Sequence, residues 1–311
     1  MKALLLCFLL SQGLRLASAA EPAAAMWVYH TEALLPEGPE RTELFAFCEE
    51  RHIGDLFWAT HFQGHGRSQE IARAAELHAF VKAASAHGLR IHALTGDPSH
   101  VLEQNHDRVL ERVDAAIEFN HASPEDERLA GVHFDIEPHG LSQWKEATLE
   151  GKCALLTQFV EVNVKACERL RARAPHMQFG TDITFWFDKP GPDSEPVYPV
   201  TFHGVTKDAT KHLLDVADNV GIMSYRNTAE GKNGIIDLVT KTITYADTAK
   251  GRAYVGVKMA NIGPPMEGFY GQTEAAMQEA LKPVAQVFAG HRGYAGIAYF
   301  MYGAYRDMPA K

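Results

Sequence analysis

Gly131-Val-His-Phe-Asp-Ile-Glu-Pro-His139 sets three ionisable residues at alternate positions inside an otherwise apolar run. Side chains alternate faces along a strand, so His133, Asp135 and Glu137 share one face while Phe134 and Ile136 share the other. The apolar row then faces a layer of helices, and the ionisable row faces the interior of a barrel. Three such groups inside a barrel are costly unless they have partners or chemistry to perform. Two readings follow: a polar network that only holds the barrel together, or a site.

Working outward, this run is the fourth of eight short apolar runs. They are Trp27–His30, Ile53–Ala59, Leu89–Leu94, Gly131–Ile136, Met177–Phe187, Val220–Ser224, Ala253–Met259 and Tyr294–Tyr302. Between them lie amphipathic segments, which predict helices at Thr42–Glu50, Ser68–His87, Asn105–Asn120, Lys152–Arg173, Lys207–Ala217, Gly234–Thr248 and Thr273–Ala289. Thr273 is placed to N-cap the last of these, and Gly88 and Gly251 stand where left-handed C-caps belong. Strand–helix alternation implies parallel strands joined by crossovers. The simplest closure is an α/β fold of the (β/α)8 TIM barrel type, a single domain over residues 21–311. Its last helix must be short or missing, because the chain ends soon after the eighth run. Alternation alone leaves a doubly wound open sheet as the other arrangement. No Gly-x-Gly-x-x-Gly follows the first run, which removes the dinucleotide-binding version of that sheet.

Residues 1–20 carry the three parts of an export signal: Lys2, the apolar Ala3–Leu10, and small residues at Ala17-Ser18-Ala19-Ala20. The apolar part is well short of the ~20 residues that span a bilayer. The expectation is a cleaved signal peptide and a secreted or periplasmic protein with no membrane span. A net charge of −9 argues against nucleic acid or an anionic membrane as partner. Cys48, Cys153 and Cys167 follow the signal. The last two lie on one predicted helix, ~21 Å apart at 1.5 Å per residue. A disulfide tolerates about 7 Å between Cα atoms, so free, buried thiols are expected.

The Gly131–Glu137 stretch resembles the fourth-strand signature Asp-Gly-x-Asp-x-Asp-x-Glu of family 18 glycoside hydrolases, the chitinase-like barrels. Gly131, Asp135 and Glu137 match it, whereas the two earlier aspartates fall on Ala130 and His133. Val220-Gly-Ile-Met-Ser-Tyr225 resembles that family's sixth-strand Met-x-Tyr motif, carried by Met223 and Tyr225. Gly296-Ile-Ala-Tyr-Phe300 lies where the family's eighth strand does, without its tryptophan. The resemblance implies a divergent relative that acts on a carbohydrate. In it Glu137 is the general acid, and Asp135 and Tyr225 hold the 2-acetamido group that serves as internal nucleophile. No cofactor is implied.

The spacing of the acids agrees with that chemistry. Asp135 and Glu137 are side by side, about 6.6 Å apart along an extended strand, rather than flanking a scissile bond as an ordinary retaining or inverting pair must. Negative charge beside Glu137 and its desolvation raise its pKa. His133 is expected to be neutral and hydrogen-bonded to Asp135. The clan of retaining barrels with Asn-Glu-Pro on the fourth strand fits less well. Ile136 replaces the asparagine, and the seventh run, Val255-Gly-Val-Lys-Met259, offers Lys258 where a nucleophilic carboxylate is needed.

Other candidates lie near the strand ends. His30, His61, His65, His92, His133 and His139 raise a metal-dependent hydrolase, but no His-x-His on the first strand and no His-Glu-x-x-His occurs, so no metal site is assigned. Tyr29, Trp58, Trp144, Trp186 and Tyr299 can stack on sugar faces. Asp182, Arg226 and Asn227 can bind hydroxyls, and His133, His139 and Met223 complete the expected substrate-binding set. The leading expectation is an exported glycoside hydrolase. A glycan-binding barrel without turnover and a metal-dependent hydrolase are the alternatives.

Overall fold

The computed structural model describes residues 24–64, 68–191 and 195–310. The signal segment and His65 therefore lie outside the described residues. Eight strands close into a barrel: β1 (Ala24–Val28), β2 (Ile53–Ala59), β3 (Arg90–Thr95), β4 (Gly131–Phe134), β5 (Gln178–Thr184), β6 (Asn219–Met223), β7 (Arg252–Lys258) and β8 (Tyr294–Phe300). Each pairs in parallel with the next, and β8 pairs with β1, which excludes the open sheet.

The wall of the barrel divides the apolar side chains into two clusters. One is the interface between strands and helices, where Met26, Leu56, Val132, Phe134, Ile222 and Val255 are buried. The other fills the barrel itself and holds Ala25, Trp27, Phe57, Leu94, Tyr254 and Ala298. Residues of one cluster alternate with residues of the other along β1 and β2, as the period of two requires.

The helices are α1 (Pro39–Glu50), α2 (Ala74–Ala86), α3 (His106–His121), α4 (Ser142–Glu146), α5 (Leu149–Arg173), α6 (Ala209–Val216), α7 (Ile235–Ala246), α8 (Glu274–Phe288) and α9 (Tyr302–Arg306). Thr273 caps α8 by accepting a hydrogen bond from the Ala276 amide. Gly88 ends α2 at φ +72°. Gly251 differs from expectation. It is not left-handed; its amide donates to the Leu214 carbonyl, and an added Cβ would lie 2.9 Å from the Ala217 oxygen, so close approach is what demands glycine. The last helix is indeed short, a single turn and a half at α9.

Two small hairpins were not expected. Phe62–Gln63 pairs with Glu70–Ile71, which delays the start of α2 to Ala74. Val200–Phe202 pairs with Val205–Lys207 through His203 and Gly204, both at positive φ, the turn geometry that matches strand twist. Cys48 and Cys167 are buried and Cys153 is half-buried, all three as free thiols.

Candidate active site

The barrel interior is polar in three successive layers. In the floor, Asp55 accepts hydrogen bonds from His92 Nε2 at 2.7 Å, from the Tyr254 hydroxyl at 2.9 Å and from Arg90. Burial opposes ionisation there, yet His92 and then Arg90 hold the carboxyl down at about 2. The floor is an ion network centred on Asp55, in which His92 Nδ1 is left without a hydrogen-bond partner among the described residues.

Above it, Asp182 takes the Trp27 indole N–H on Oδ2 at 2.8 Å and faces His133 Nε2 with Oδ1 at 2.8 Å. The His133 ring stacks on Phe57 at 3.8 Å between centroids. Gly180, paired with His133 across β4 and β5, makes this possible, since a Cβ there would come within 2.4 Å of His133 Nδ1. Burial pushes the imidazole down to about 3, so His133 is neutral at ordinary pH. Burial likewise pushes Asp182 well above the usual carboxylate range.

The mouth is where β4 stops pairing. Asp135 still donates its amide to the Thr95 carbonyl at 3.0 Å, after which the chain leaves the sheet. Gly96 passes so close to the Asp135 backbone that a Cβ on it would lie 1.8 Å from the Asp135 oxygen, which fixes the exit path. Pro138 then opens a 3-10 turn over Pro138–Gly140, placing Glu137 at its N-terminal edge. The Tyr29 hydroxyl donates to Asp135 Oδ2 at 2.8 Å. The Phe300 ring sits 5.8 Å from that of Tyr29 and 5.7 Å from that of Tyr225, so β1, β6 and β8 meet over the acids.

Electrostatics separate the acids. Burial, then the charge of Asp182, pushes Asp135 up to about 7, with the Tyr29 hydrogen bond working the other way. Glu137 is also raised, by burial and then by Asp135, while His139 pulls it back. His139 Nε2 lies 3.7 Å from Glu137 Oε1, and the Glu137 side chain is 37% exposed. It is thus a carboxyl that burial and Asp135 bias toward its protonated form while part of it stays open to solvent. The Tyr225 phenol is raised far above its ordinary value by burial and then by the charges of Asp135, Asp182 and Glu137, and its ring shares Phe300 as a neighbour with Tyr29, which holds Asp135.

The structure therefore brings Asp135, Glu137, Tyr225, Tyr29 and His139 together. Met223, the last residue of β6, is half-buried two residues before Tyr225. Trp186 stands beside His139, with ring centroids 5.6 Å apart, and is half-buried at the rim. Arg226 and Asn227 follow Tyr225 on the same rim, and the Asn227 side chain donates to the Pro265 carbonyl.

Five expectations need correction. His133 faces Asp182, not Asp135, and at 0% exposure it touches no substrate in this state. Asp182 is 2% exposed with both oxygens engaged, so it supports the layer below the mouth rather than binding hydroxyls. Trp144 is 7% exposed, packed against Trp186 and Tyr198 because it lies on α4 rather than in an open loop. Tyr299 points outward to α8 and α9, near Gln278 and Tyr305, whereas the next residue, Phe300, packs with the barrel-filling cluster and against Tyr29. Trp58 also faces the helices, against Phe80.

Of the other histidines, His92 belongs to the floor, His61 pairs with Glu32, and His30 is exposed. Among the described residues no group of three or more His, Cys, Asp or Glu side chains is arranged to hold a metal ion. Nor is any helix among them long and apolar enough to cross a membrane. Sequence reasoning missed Trp27, Phe57 and Phe300 as interior residues. The signal for Trp27 was available: it lies two residues before Tyr29 and so shares its face.

No protein-family profile matches the chain, and neither does any curated protein. Solved structures do share its architecture. A chitinase from Chromobacterium violaceum is 12% identical, with a TM-score of 0.52, over 91% of this chain and 96% of that one. A chitinase from Rhizomucor miehei is 14% identical, with a TM-score of 0.51, over 91% and 95%. A β-mannanase from the blue mussel Mytilus edulis is 12% identical, with a TM-score of 0.51, over 90% and 86%. At such identities the likeness establishes the fold, a (β/α)8 barrel of the kind those enzymes use.

Proposed function

We propose that the protein is a glycoside hydrolase in which Glu137 is the general acid and base. The observation that carries this reading is the pair at the mouth: a partly exposed glutamate with a raised pKa beside an aspartate oriented by Tyr29. The named activities of proteins with the same fold, chitinase and mannanase, point to the same reaction class.

In the proposed reaction Glu137 gives its proton to the glycosidic oxygen as the bond to the anomeric carbon breaks. The carbonyl oxygen of a 2-acetamido group on the same sugar closes on that carbon, and Asp135 stabilises the cationic ring that forms. Tyr225 donates its hydroxyl hydrogen to the same acetamido group. Glu137, now a carboxylate, takes a proton from the water that opens the ring, which restores the acid. With Asp135 and Glu137 on one side of the bond, no second carboxylate opposite is required. Export through residues 1–20 would place this activity on extracellular or cell-wall glycans, and the N-terminal sequence of the protein recovered from outside the cytoplasm tests that part.

The decisive experiment compares the wild type with Glu137→Gln on a panel of aryl glycosides and polysaccharides. The wild type is expected to turn over an N-acetylated substrate, and the variant to lose about a hundredfold or more, as removal of a general acid does. A wild type that binds glycans but is as inert as the variant overturns the reading in favour of a binding barrel.

A further inference from the structure

Two cations contact Tyr225, and among the described residues only one of them is paired with a carboxylate. Lys258, on β7, lies 5.2 Å over the Tyr225 ring, and its ammonium is engaged by Glu267 at 3.2 Å and by the Ile262 carbonyl. Arg226 is the next residue along the chain. Its Nη1 donates to the Tyr225 carbonyl at 2.7 Å, and its guanidinium sits 5.1 Å over the Phe185 ring. Among the described residues no carboxylate pairs with it. A guanidinium carries five N–H groups, and these contacts use one of them.

Its neighbours connect it to the general acid. Phe185 follows the last residue of β5, and its neighbour Trp186 contacts His139, which in turn stands 3.7 Å from Glu137. Arg226, Phe185, Trp186 and His139 thus trace an arc along the rim from β6 to the general acid on β4. A sugar chain with its scissile bond at Glu137 that leaves on the β5 side crosses the aromatic pair and ends at the guanidinium. Arg226 is half-buried and clamped on two sides. A planar fork held in that way suits a carboxylate, which it can bind with two parallel hydrogen bonds. The chain is acidic overall, at −9, so a cation without a carboxylate partner among the described residues, on the rim that carries Tyr225, marks a local exception to the net charge.

Building on the glycosidase reading, we infer that Arg226 reads a carboxylate on the substrate, and that the enzyme's glycan is acidic: an amino sugar next to a carboxylate-bearing sugar. The carboxylate can belong to a uronic acid or to a lactyl ether on the amino sugar itself, and both present the same planar anion.

The test uses three probes. The first is an oligosaccharide of alternating N-acetylglucosamine and glucuronate, the second the same oligosaccharide with its carboxyls reduced to alcohols, and the third a glycan whose alternate amino sugars carry the lactyl ether. Wild type, Arg226→Gln and Arg226→Lys are compared for kcat/KM and, by calorimetry, for affinity. The wild type is expected to prefer one or both acidic probes over the reduced one by about tenfold or more, the scale of a charge-assisted bidentate contact. Arg226→Gln should collapse that ratio and Arg226→Lys restore part of it. Which acidic probe is preferred identifies the source of the carboxylate. Equal treatment of acidic and reduced probes by the wild type, or an Arg226→Gln loss that is the same on both, overturns the inference. If no probe is hydrolysed, the glycosidase reading fails, and the affinity ratio still decides the role of Arg226.

Discussion

At the scale of single residues the candidate site is a problem of two acids sharing negative charge. Asp135 is held near 7 and Glu137 above its ordinary value, with Asp135 the second cause of the Glu137 shift after burial. Replacing Asp135 by Asn removes that charge, so the Glu137 pKa must fall. A general acid works only while protonated, and the alkaline limb of the pH–kcat/KM profile should move to lower pH, together with a loss of about a hundredfold in rate. A limb that stays in place or moves upward contradicts the assignment. Stability supplies a second readout. Between about pH 4 and pH 7 folded Asp135 binds more protons than it does unfolded, so its contribution is complete below that window and is lost as pH rises through it. Urea titrations of Asp135→Asn should lack that decline. Asp135, Glu137 and Tyr225 were readable in the chain because motif and strand parity agreed on them. The partner of His133 was not. Asp182 comes from the adjacent strand, two residues beyond the position that pairs with His133, and a lone sequence carries no register between strands.

Among the elements, β5 is the one whose sequence most directly shapes the interior. Gly180 leaves room for the His133 ring and for the Asn219 side chain, each of which an added Cβ would meet at 2.4 Å. Gly180→Ala is expected to displace His133 from Asp182 and to destabilise the fold by about 1–3 kcal/mol, the usual range for overpacking a close-packed interior. Chemical denaturation measures this, and an unchanged midpoint shows that the layer is looser than drawn. The existence and order of all eight strands was legible from the alternation of apolar runs and helical periods. Parity was legible only where polar residues mark one face, as in β4. In β8 the run Tyr294–Phe300 is apolar on both faces, so nothing in it tells the inward row from the outward one. An irregularity compounds this: Ala253 pairs with Tyr294 but Tyr254 with Gly296, so Ala295 is passed over and the alternation resets. Tyr299 therefore turns outward and Phe300 faces the site, an order that the apolar run alone does not reveal. The two hairpins escaped for a related reason, being too short to show any period.

For the molecule as a whole, function depends on closure, because the mouth gathers residues from β1, β4, β6 and β8. Tyr29 and Phe300 meet only when the first and last strands pair. Outside the barrel the same seam is clamped by Arg51 at the end of α1. Its guanidinium donates to both oxygens of Glu274 on α8 at 2.8 Å and lies 3.9 Å from the centre of the Phe47 ring. The Tyr305 hydroxyl of α9 donates to Glu274 Oε1 at 3.0 Å. Although burial pushes Glu274 up, the hydrogen bonds from Arg51 and Tyr305 hold it below its ordinary value. Its contribution to stability is therefore complete above the usual carboxylate range and is lost as pH falls through the folded value. Arg51→Met keeps an apolar side chain of similar length but removes the fork and its cation over Phe47, and it should cost about 2 kcal/mol near neutral pH. The gap between variant and wild type should narrow in acid, where Glu274 is protonated in both. Urea unfolding at the two pH values measures it, and a cost that is the same in acid would assign the effect of Arg51 to packing instead of charge. A seam loosened in this way should also lower turnover without moving the pH profile, since no group that sets the Glu137 proton is altered.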